Sequence, residues 1–264
     1  MMLQVAYQGE YFHGFAKQPQ HRTVEGDIIR ALEDIGYSRP LSVASRTDKG
    51  VSALCNVIHV QCEKDNLCRR LTSRLDHIWV YGYHEGNYNP RHCQKHYIYF
   101  YPGSFPEPLL EQACALCSGM HDFSALCRGT HAHMHKEIQV TYELKSQLIL
   151  FHFYGRSFLW EMIRRCMTAL LSFLTGDMSQ EVFVQILEGN IHTKISPAPA
   201  ENLLLAELIY PFSFIIDRYS YKKMKIAFSN RYQNYLILKT KYEKMLEILE
   251  KEKEKEKKKK RKKE

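Results

Sequence analysis

Asp48 is the carboxylate whose position in the sequence best suits covalent or acid–base chemistry. It lies in the polar segment A-S-R-T-D-K-G-V-S-A, residues 44–53, between two hydrophobic runs that favour β-strands. Gly50 can take a positive φ angle without steric cost, so the segment predicts a tight turn at the end of a strand. Arg46, two residues earlier, shares the face of Asp48 on an extended chain. The pattern favours a carboxylate that is held in place beside a cation.

The turn alone does not decide between a catalytic and a structural role, because Asp-X-Gly is also a common structural turn. A reactive carboxylate would act as a nucleophile or as a base, and both reactions need a positive partner and a pocket that excludes water. The elements around the turn must supply these.

The hydrophobic periodicity predicts a mixed α/β chain with two halves, residues 1–103 and 104–212, and a helical tail at 213–264 whose end is expected to be disordered. Strands are predicted at residues 3–7, 40–43, 51–60, 79–83, 96–101, 137–144, 148–155 and 203–210. Helices are predicted at residues 24–35, 67–75, 108–120, 158–174 and 179–188. Sequence similarity between the two halves is not visible.

The composition permits a nucleic-acid partner without proving one. The 264 residues are 45% hydrophobic and carry a net charge of +8. Residues 250–264 hold ten basic and five acidic side chains, so the rest of the chain has 27 basic and 24 acidic groups. An RNA-binding surface would therefore require a local cluster of basic residues.

The eight cysteines are expected to be reduced thiols of a cytoplasmic protein, because the sequence shows no secretory signal. No apolar run is long enough to predict a membrane span. Cys114, Cys117 and Cys127, followed by His131, His133 and His135, could instead contribute zinc ligands. The helical pattern around Cys114 and Cys117 favours small core residues over a metal site.

A set of segments resembles the TruA family of tRNA pseudouridine synthases from Met2 to about Pro211. The segments are V-A-Y-Q-G at 5–9, F-H-G-F at 12–15, R-T-V-E-G at 22–26, S-R-T-D-K-G-V-S-A at 45–53, N-P-R at 89–91, H-Y-I-Y at 96–99, H-D-F-S at 121–124, F-L-W-E-M-I-R at 158–164 and A-E-N-L at 200–203. Two positions depart from the family pattern. Gln8 stands where Asp is usual, and Asn202 stands where Gly is usual, which predicts a left-handed turn that Asn tolerates.

The resemblance implies a fold and a reaction. The fold is α+β: two ferredoxin-like halves whose antiparallel sheets join around a central cleft. The reaction breaks the bond between C1′ and N1 of uridine, turns the base and rejoins it through C5. It needs no metal, redox cofactor or other small-molecule cofactor. The resemblance points to uridines 38, 39 and 40 of the tRNA anticodon arm and to a homodimer. Different RNA target sites stay open, because eukaryotic relatives share these segments and modify other positions.

The resemblance also assigns roles to individual residues. Asp48 is the catalytic carboxylate, acting at C1′, at the base or at the C2′ proton. Tyr97 would stack on the base and handle a proton, and Leu203 would pack against the uracil or an arginine. Arg46 is expected to help extrude the target base, although a local ion pair with Asp48 is also open.

Arg164 and Arg165 are adjacent on the helix predicted at residues 158–174. Arg164 is surrounded in sequence by apolar residues, so it is expected to be partly buried and to pair with Asp48. Arg165 is expected to be a surface charge.

Two alternatives to catalysis at Asp48 come from other classes. A noncatalytic RNA-binding protein would not need Asp48, Tyr97 and Arg164 together. A zinc-dependent base deaminase would use the Cys/His cluster, but the sequence lacks the His-x-Glu and Pro-Cys-x-x-Cys pairing of that class. The tail from 217 to 263 interleaves Tyr and Lys, which suits either non-specific RNA contact or a solvated helix.

Overall fold

The computed structural model describes residues 1–61, 66–129, 133–191 and 195–261, with side chains described as far as residue 253. The strands are β1 Met2–Tyr7, β2 Ser42–Val43, β3 Ser52–His59, β4 Ile78–His84, β5 Gln94–Pro102, β6 Gly119–Asp122, β7 His135–Lys145, β8 Leu148–Gly155, β9 Leu203–Ile209 and β10 Ile215–Ile216. The α-helices are α1 Val24–Glu33, α2 Leu67–Thr72, α3 Glu107–Cys117, α4 Met162–Leu174, α5 Gln180–Leu187 and α6 Arg218–Arg261.

The strands form one mixed sheet in the order β10-β4-β1-β3-β9-β5-β8-β7-β6, with β2 added beside β3. Strands β3 and β9 pair in parallel through Ser52 with Leu204 and Ala53 with Leu205. The other strand pairs formed by the described residues are antiparallel. The parallel pair joins β1 to β4 and β10, on one side, to β5 to β9 on the other.

The parallel pairing determines which residues meet. Because β3 and β9 run in the same direction, both begin at the same edge of the sheet. Asp48 precedes β3 and Leu203 opens β9, so the sheet brings these two distant segments together. Tyr97 on β5 pairs with Leu205 on β9, which adds a third strand to the same place.

The core of the sheet is apolar and continuous across both halves. On β5, Tyr97 and Tyr99 are buried, while His96 before them and Ile98 between them are half-buried, which is the alternation of a strand with one covered face. Helix α4 contributes a stripe of buried residues at helical spacing, among them Ile163, Met167 and Leu170. Arg164 and Arg165 follow directly after the first of these.

Most predicted elements are found close to their predicted positions, and three helix boundaries are wrong, the first being the end of α2 at Thr72 instead of residue 75. Helix α3 ends at Cys117, and the chain turns into strand β6 at Gly119, whose φ is +119°. Helix α4 begins at Met162 rather than Phe158, because Glu161 has a φ of +61°. A left-handed residue cannot continue a right-handed helix, so residues 158–161 form a loop instead.

The expected left-handed turn at Asn202 is also wrong. Asn202 ends a 3₁₀ helix, Ala200–Asn202, and is not among the residues with positive φ. A 3₁₀ helix has ordinary negative φ angles, so the position does not demand Gly.

The chain divides into two compact units, Met1–Ser220 and Tyr221–Glu264. The first contains the whole sheet. The second lies within α6, whose helical character agrees with the apolar spacing of the tail, and it exposes tyrosines such as Tyr232 and Tyr242. Within the described chain, no helix has the length and apolar character that crossing a membrane requires.

Candidate active site

A buried hydrogen-bond network on strands β1 and β3 holds the turn that carries Asp48. The hydroxyl of Tyr7 lies 2.9 Å from Thr47 Oγ1. The side-chain amide of Asn56 donates to the Tyr7 hydroxyl at 3.1 Å and to the backbone oxygen of Ser45 at 2.8 Å. Asn56 and Tyr7 are fully buried, so each bond replaces one that water would otherwise supply. The network fixes the backbone on both sides of residue 46.

Two glycines allow the turn its shape. Gly50 has a φ of +88°, which confirms the predicted positive angle. Gly14 has a φ of +95°, and a Cβ there would lie 3.1 Å from the oxygen of Thr47 and 3.3 Å from the nitrogen of Lys49. The F-H-G-F segment therefore packs its backbone directly against the aspartate turn.

Arg164 and Asp48 form the ion pair that the sequence predicted. Arg164 Nη1 donates to Asp48 Oδ2 at 3.0 Å across 116 residues of sequence. Within the described chain, no hydrogen bond reaches Asp48 Oδ1. The carboxylate is 20% exposed and the guanidinium 15%, so the pair is shielded but still accessible from one side. One carboxylate oxygen is oriented, and the other remains available to a substrate.

The guanidinium of Arg164 is fixed by a second contact. Its Nε donates to the backbone oxygen of Ala198 at 2.6 Å, and the backbone N–H of Ala198 donates to the oxygen of Arg164 at 3.1 Å. The planar fork thus binds a carboxylate and a carbonyl at once, a geometry that Lys cannot reproduce.

Tyr97 lies on the wall of the same cavity as Asp48. Its hydroxyl is 2.6 Å from Ser45 Oγ, and the ring of Phe158 meets it edge-on with centroids 5.3 Å apart. Burial raises the pKa of Tyr97 well above its ordinary value despite the hydrogen bond to Ser45, and the charge of Asp48 adds to the rise. The phenol therefore stays protonated at neutral pH.

Leu203 and Arg46 complete the set of predicted residues in the cavity wall. Leu203 is buried at the start of β9. Arg46 is exposed, and the expected alternative of an ion pair with Asp48 is wrong: no salt bridge joins the two in the described chain. The extended turn places Arg46 at the surface, where it can reach outward.

The five predicted residues surround one open cavity of about 1010 Å³. Its lining carries seven basic side chains and two acidic ones, Asp48 and Glu161. The basic residues are Arg46, Lys49, Arg91, Lys95, Arg128, Arg156 and Arg164. This is the local positive cluster that the nearly balanced charge of residues 1–249 does not reveal.

Arg165 is not the surface charge that the sequence indicated. Its side chain is as shielded as that of Arg164, and it donates to Glu161 Oε2 through Nε at 3.1 Å and Nη2 at 2.5 Å. A further bond runs from its Nη1 to the backbone oxygen of Ile195. Arg128 Nη1 lies 3.4 Å from the other oxygen of Glu161. Arg165 therefore clamps the loop before α4.

The charges around Glu161 alter its acidity. Burial raises the pKa of Glu161, but the hydrogen bonds and charges of Arg165 and Arg128 more than offset this, so the pKa lies below its usual range. Glu161 is consequently ionised at neutral pH and holds two arginines.

The cysteines weighed as zinc ligands include two core residues. Cys114 and Cys117 are buried on α3, as the helical pattern indicated, and burial raises the pKa of each thiol. No group of three or more His, Cys, Asp or Glu side chains in the described part of the chain is arranged to hold a metal. His131 and Cys62 lie outside the described residues.

The hydrogen bonds of Asn56 and the Glu161–Arg165 ion pair were not predicted from the sequence. Asn56 interrupts an otherwise apolar strand, and a polar residue inside such a run is a signal for a buried hydrogen-bond partner. Glu161 and Arg165 are four residues apart, the spacing of a helical ion pair, and that spacing could have identified the clamp.

Comparison with known proteins gives a consistent picture. A family model described as tRNA pseudouridine synthase matches residues 113–211. Over 92% of this chain and 96% of its own length, tRNA pseudouridine synthase A of Pyrococcus furiosus is 36% identical. The protein of the same name from Thermococcus sibiricus is 36% identical over 89% of this chain and 94% of its own length. That of Methanocaldococcus jannaschii is 30% identical over 85% and 90%.

Among solved structures, the archaeal box H/ACA sRNP Nop10–Cbf5 complex is similar over 64% of this chain and 44% of the compared chain, with 13% identity. The TM-score is 0.33, a likeness too slight to support an argument about the present site.

Proposed function

The chain belongs to the TruA family of tRNA pseudouridine synthases, and on that premise we propose that it converts uridines 38, 39 and 40 of the tRNA anticodon arm to pseudouridine, with Asp48 as the catalytic carboxylate. Family membership makes the chain an isomerase that acts on uridine in tRNA. The target positions and the roles of individual residues are the proposed part.

The observation that carries the catalytic assignment is the Arg164–Asp48 pair at the wall of a basic cavity. Arg164 orients Asp48 through Oδ2, which leaves Oδ1 to act on the substrate. Three first steps are chemically open to this oxygen: attack on C1′, attack on the base, and removal of the C2′ proton. Each needs an ionised carboxylate beside the sugar, and each is favoured by exclusion of water from the cavity.

The base must be held while it is detached from the sugar. We assign this to Tyr97, whose ring lines the cavity, and to Leu203 on the neighbouring strand. The neutral Tyr97 hydroxyl, hydrogen-bonded to Ser45, can donate its proton to N1 of the detached base, and the transient phenolate can then take the C5 proton, which restores the phenol. No proton is gained or lost overall, so a single relay suffices.

The target base must leave the RNA stack before it can reach Asp48. Arg46 extends from the turn two residues away and makes no hydrogen bond or ion pair with the described chain. We assign it to the space that the base vacates or to the flanking phosphate, where its charge offsets part of the few kcal/mol that unstacking costs.

The test is pseudouridine mapping on unmodified tRNA transcripts with the wild-type enzyme and with Asp48→Asn. Conversion at positions 38–40 by the wild type and a loss of about a thousandfold or more in the variant would support the proposal. Asn fills the same volume and still accepts a hydrogen bond from Arg164, so folding is expected to be retained. Conversion by Asp48→Asn at the wild-type rate would refute the role of Asp48.

Two outcomes of the same experiment separate the alternatives. Conversion at other tRNA positions would retain the reaction and reject the proposed targets. Tight tRNA binding without conversion at any position would favour a noncatalytic binding protein.

Several coarser expectations belong to the same proposal. We propose that residues 1–103 and 104–212 are ferredoxin-like halves joined through β3 and β9, that the enzyme is cytoplasmic, and that two copies form a homodimer. The tail, residues 213–264, is proposed to contact tRNA by counterion release. Truncation after Ser220 retains β10 and should reduce the salt dependence of tRNA binding.

A further inference from the structure

Trp160 is an exposed aromatic residue at the rim of the Asp48 cavity. Its side chain is 50% exposed, while the other tryptophan of the chain, Trp79, is buried. Trp160 lines the cavity together with Asp48 and Tyr97. An aromatic ring exposed beside a basic cleft is the arrangement on which nucleobases stack.

The indole of Trp160 is positioned even though it is exposed. The guanidinium carbon of Arg128 lies 4.2 Å from its ring centroid, and the backbone N–H of Arg128 donates to the oxygen of Trp160 at 2.9 Å. Arg128 in turn bonds to Glu161, which Arg165 holds from the helix. The ring therefore has one face against a cation and does not have to be ordered by its ligand, which lowers the entropic cost of binding.

The loop geometry directs Trp160 toward the cavity. Glu161 takes a left-handed conformation, so the residues before it turn away from α4 instead of adding a helical turn at its start. In a helix starting at Phe158, residue 160 would follow the helical surface; in the observed loop it belongs to the cavity rim. A left-handed residue other than Gly or Asn persists only where surrounding contacts impose it, and here the two arginines supply those contacts.

The cavity is larger than one base requires. Its volume of about 1010 Å³ lies at the upper end of the range for sites that enclose a whole small molecule. Tyr97 and Leu203 near Asp48 accommodate the target uracil, and the rim at Trp160 remains. The surrounding basic residues include Arg128 and Arg156, which suit the phosphates on either side of a nucleotide.

We propose that Trp160, held by Arg128, is the stacking platform for a second nucleobase of the tRNA, one that neighbours the target uridine. The inference rests on the proposed function. A single-stranded or splayed base offers a flat π surface to the free face of the indole, and such contacts tolerate different bases. The platform keeps the RNA strand in place while the target base is extruded.

An apolar protein segment is the competing occupant of an exposed tryptophan. The charge of the cavity disfavours it, because the lining carries five more basic residues than acidic ones and an apolar partner would desolvate this positive charge without balancing it. A polyanion with flat bases satisfies both the ring and the arginines.

The test measures tRNA affinity and conversion with full-length tRNA in which single abasic sites are scanned through the anticodon arm. The proteins are the wild type, Trp160→Ala, Trp160→Phe and Tyr88→Ala. Tyr88 is the matched control, since it is also 50% exposed but lies outside the cavity lining. Trp160→Ala is expected to weaken binding and raise KM by roughly five- to hundredfold with a smaller change in kcat, and Trp160→Phe to regain most of the loss.

The abasic scan identifies the contact. At one position near the target, the abasic tRNA should lower wild-type affinity to the level of Trp160→Ala, and Trp160→Ala should lose nothing further. If the Trp160→Ala and abasic losses add at every position, or if Trp160→Ala binds like Tyr88→Ala, the platform is refuted. Melting temperatures of all variants, together with the Phe variant, exclude misfolding as the cause.

The outcomes for the two proposals differ. Conversion by the wild type reports on the proposed function, whereas coupling between Trp160 and one abasic position reports on the platform and is measured in affinity, even where conversion is absent. Conversion without coupling retains the function and rejects the platform.

Discussion

Two consecutive arginines on α4 each bind a carboxylate, and the two carboxylates differ in how many of their oxygens the protein binds. Arg164 and Arg165 have the same side-chain exposure, 15%. Arg164 donates to Asp48, which lies 116 residues earlier in the first half of the chain. Arg165 donates twice to Glu161, four residues earlier in the adjoining loop. Residue type and burial are the same, so the partner alone distinguishes the two sites.

The two carboxylates differ in how many of their oxygens are occupied. Glu161 is 10% exposed, and both of its oxygens are bound by arginines. Asp48 is 20% exposed, and the described chain binds one of its oxygens. A fully bound carboxylate stabilises structure, whereas one with a free oxygen facing a cavity can react. The number of bound oxygens therefore distinguishes the structural ion pair at Glu161 from the candidate catalytic pair at Asp48.

The largest expected effect comes from removing the structural carboxylate. Glu161→Ala leaves Arg165 shielded and unpaired, so the free energy of unfolding should fall by about 3–5 kcal/mol. Glu143→Ala is the control, because Glu143 is a largely exposed partner of His152 and should cost less than about 1 kcal/mol. Urea denaturation measures both. Equal losses in the two variants would show that Glu161 is not the clamp.

The second prediction exchanges the two arginines for lysine. Arg164→Lys cannot bond Asp48 and the Ala198 carbonyl together, so kcat should fall on the order of a hundredfold with a small change in melting temperature. Arg165→Lys should lower the melting temperature clearly and change kcat much less than Arg164→Lys does. Steady-state kinetics and thermal unfolding of both variants test this prediction. It is wrong if the two variants lose kcat and melting temperature to the same extent.

A smaller effect is expected at Arg46, a cation without a protein partner in the described chain. Arg46→Lys keeps the charge and loses the planar fork, so kcat should fall by about tenfold while the free energy of unfolding stays unchanged. Arg39→Lys, at another exposed arginine outside the cavity lining, controls for a general change of charge. Wild-type turnover in Arg46→Lys would contradict a role in base extrusion.

The smallest predicted effect is the pH dependence of the Glu161 clamp. The pKa of Glu161 is lower in the folded chain than its ordinary value of 4.5. Its stabilisation is therefore fully present above the unfolded pKa and is lost as the pH falls through the folded pKa. The stability difference between wild type and Glu161→Gln should be constant above about pH 6 and shrink below pH 4.5. Urea midpoints from pH 7 to 3 measure it; a difference that grows in acid would contradict the sign.

The pair at Asp48 was predictable from sequence, and the clamp at Glu161 was not. Asp48 lies in a specific segment, and Arg164 is flanked by apolar residues, so burial and the need for a partner could be inferred. For Arg165 the sequence suggested solvent, because an arginine on a helix is ordinarily exposed. The left-handed Glu161 changes the start of the helix, and local propensity does not predict such a residue since tertiary contacts impose it.

The strands also differ in whether the local sequence or a contact with a distant segment determines them. Strand β7 follows from alternation within its own residues, because Ile138 and Val140 are buried and their neighbours are exposed. The strand at Gly119–Asp122 escaped prediction because it is short and pairs with β7, and its first residues continue the apolar pattern of α3. The parallel pairing of β3 with β9 rests on two residue pairs far apart in sequence, which no local pattern specifies.

That pairing has a consequence for the order in which the enzyme is made. Asp48 leaves the ribosome 116 residues before Arg164, an interval of roughly 6 to 23 seconds at ordinary translation speeds. During that time the carboxylate has no guanidinium, and the edge of β3 has no parallel neighbour. Pairing of β9 with β3 joins the two parts of the sheet and brings Leu203 to the cavity wall. A nascent chain therefore acquires the complete site only after β9 has been synthesised.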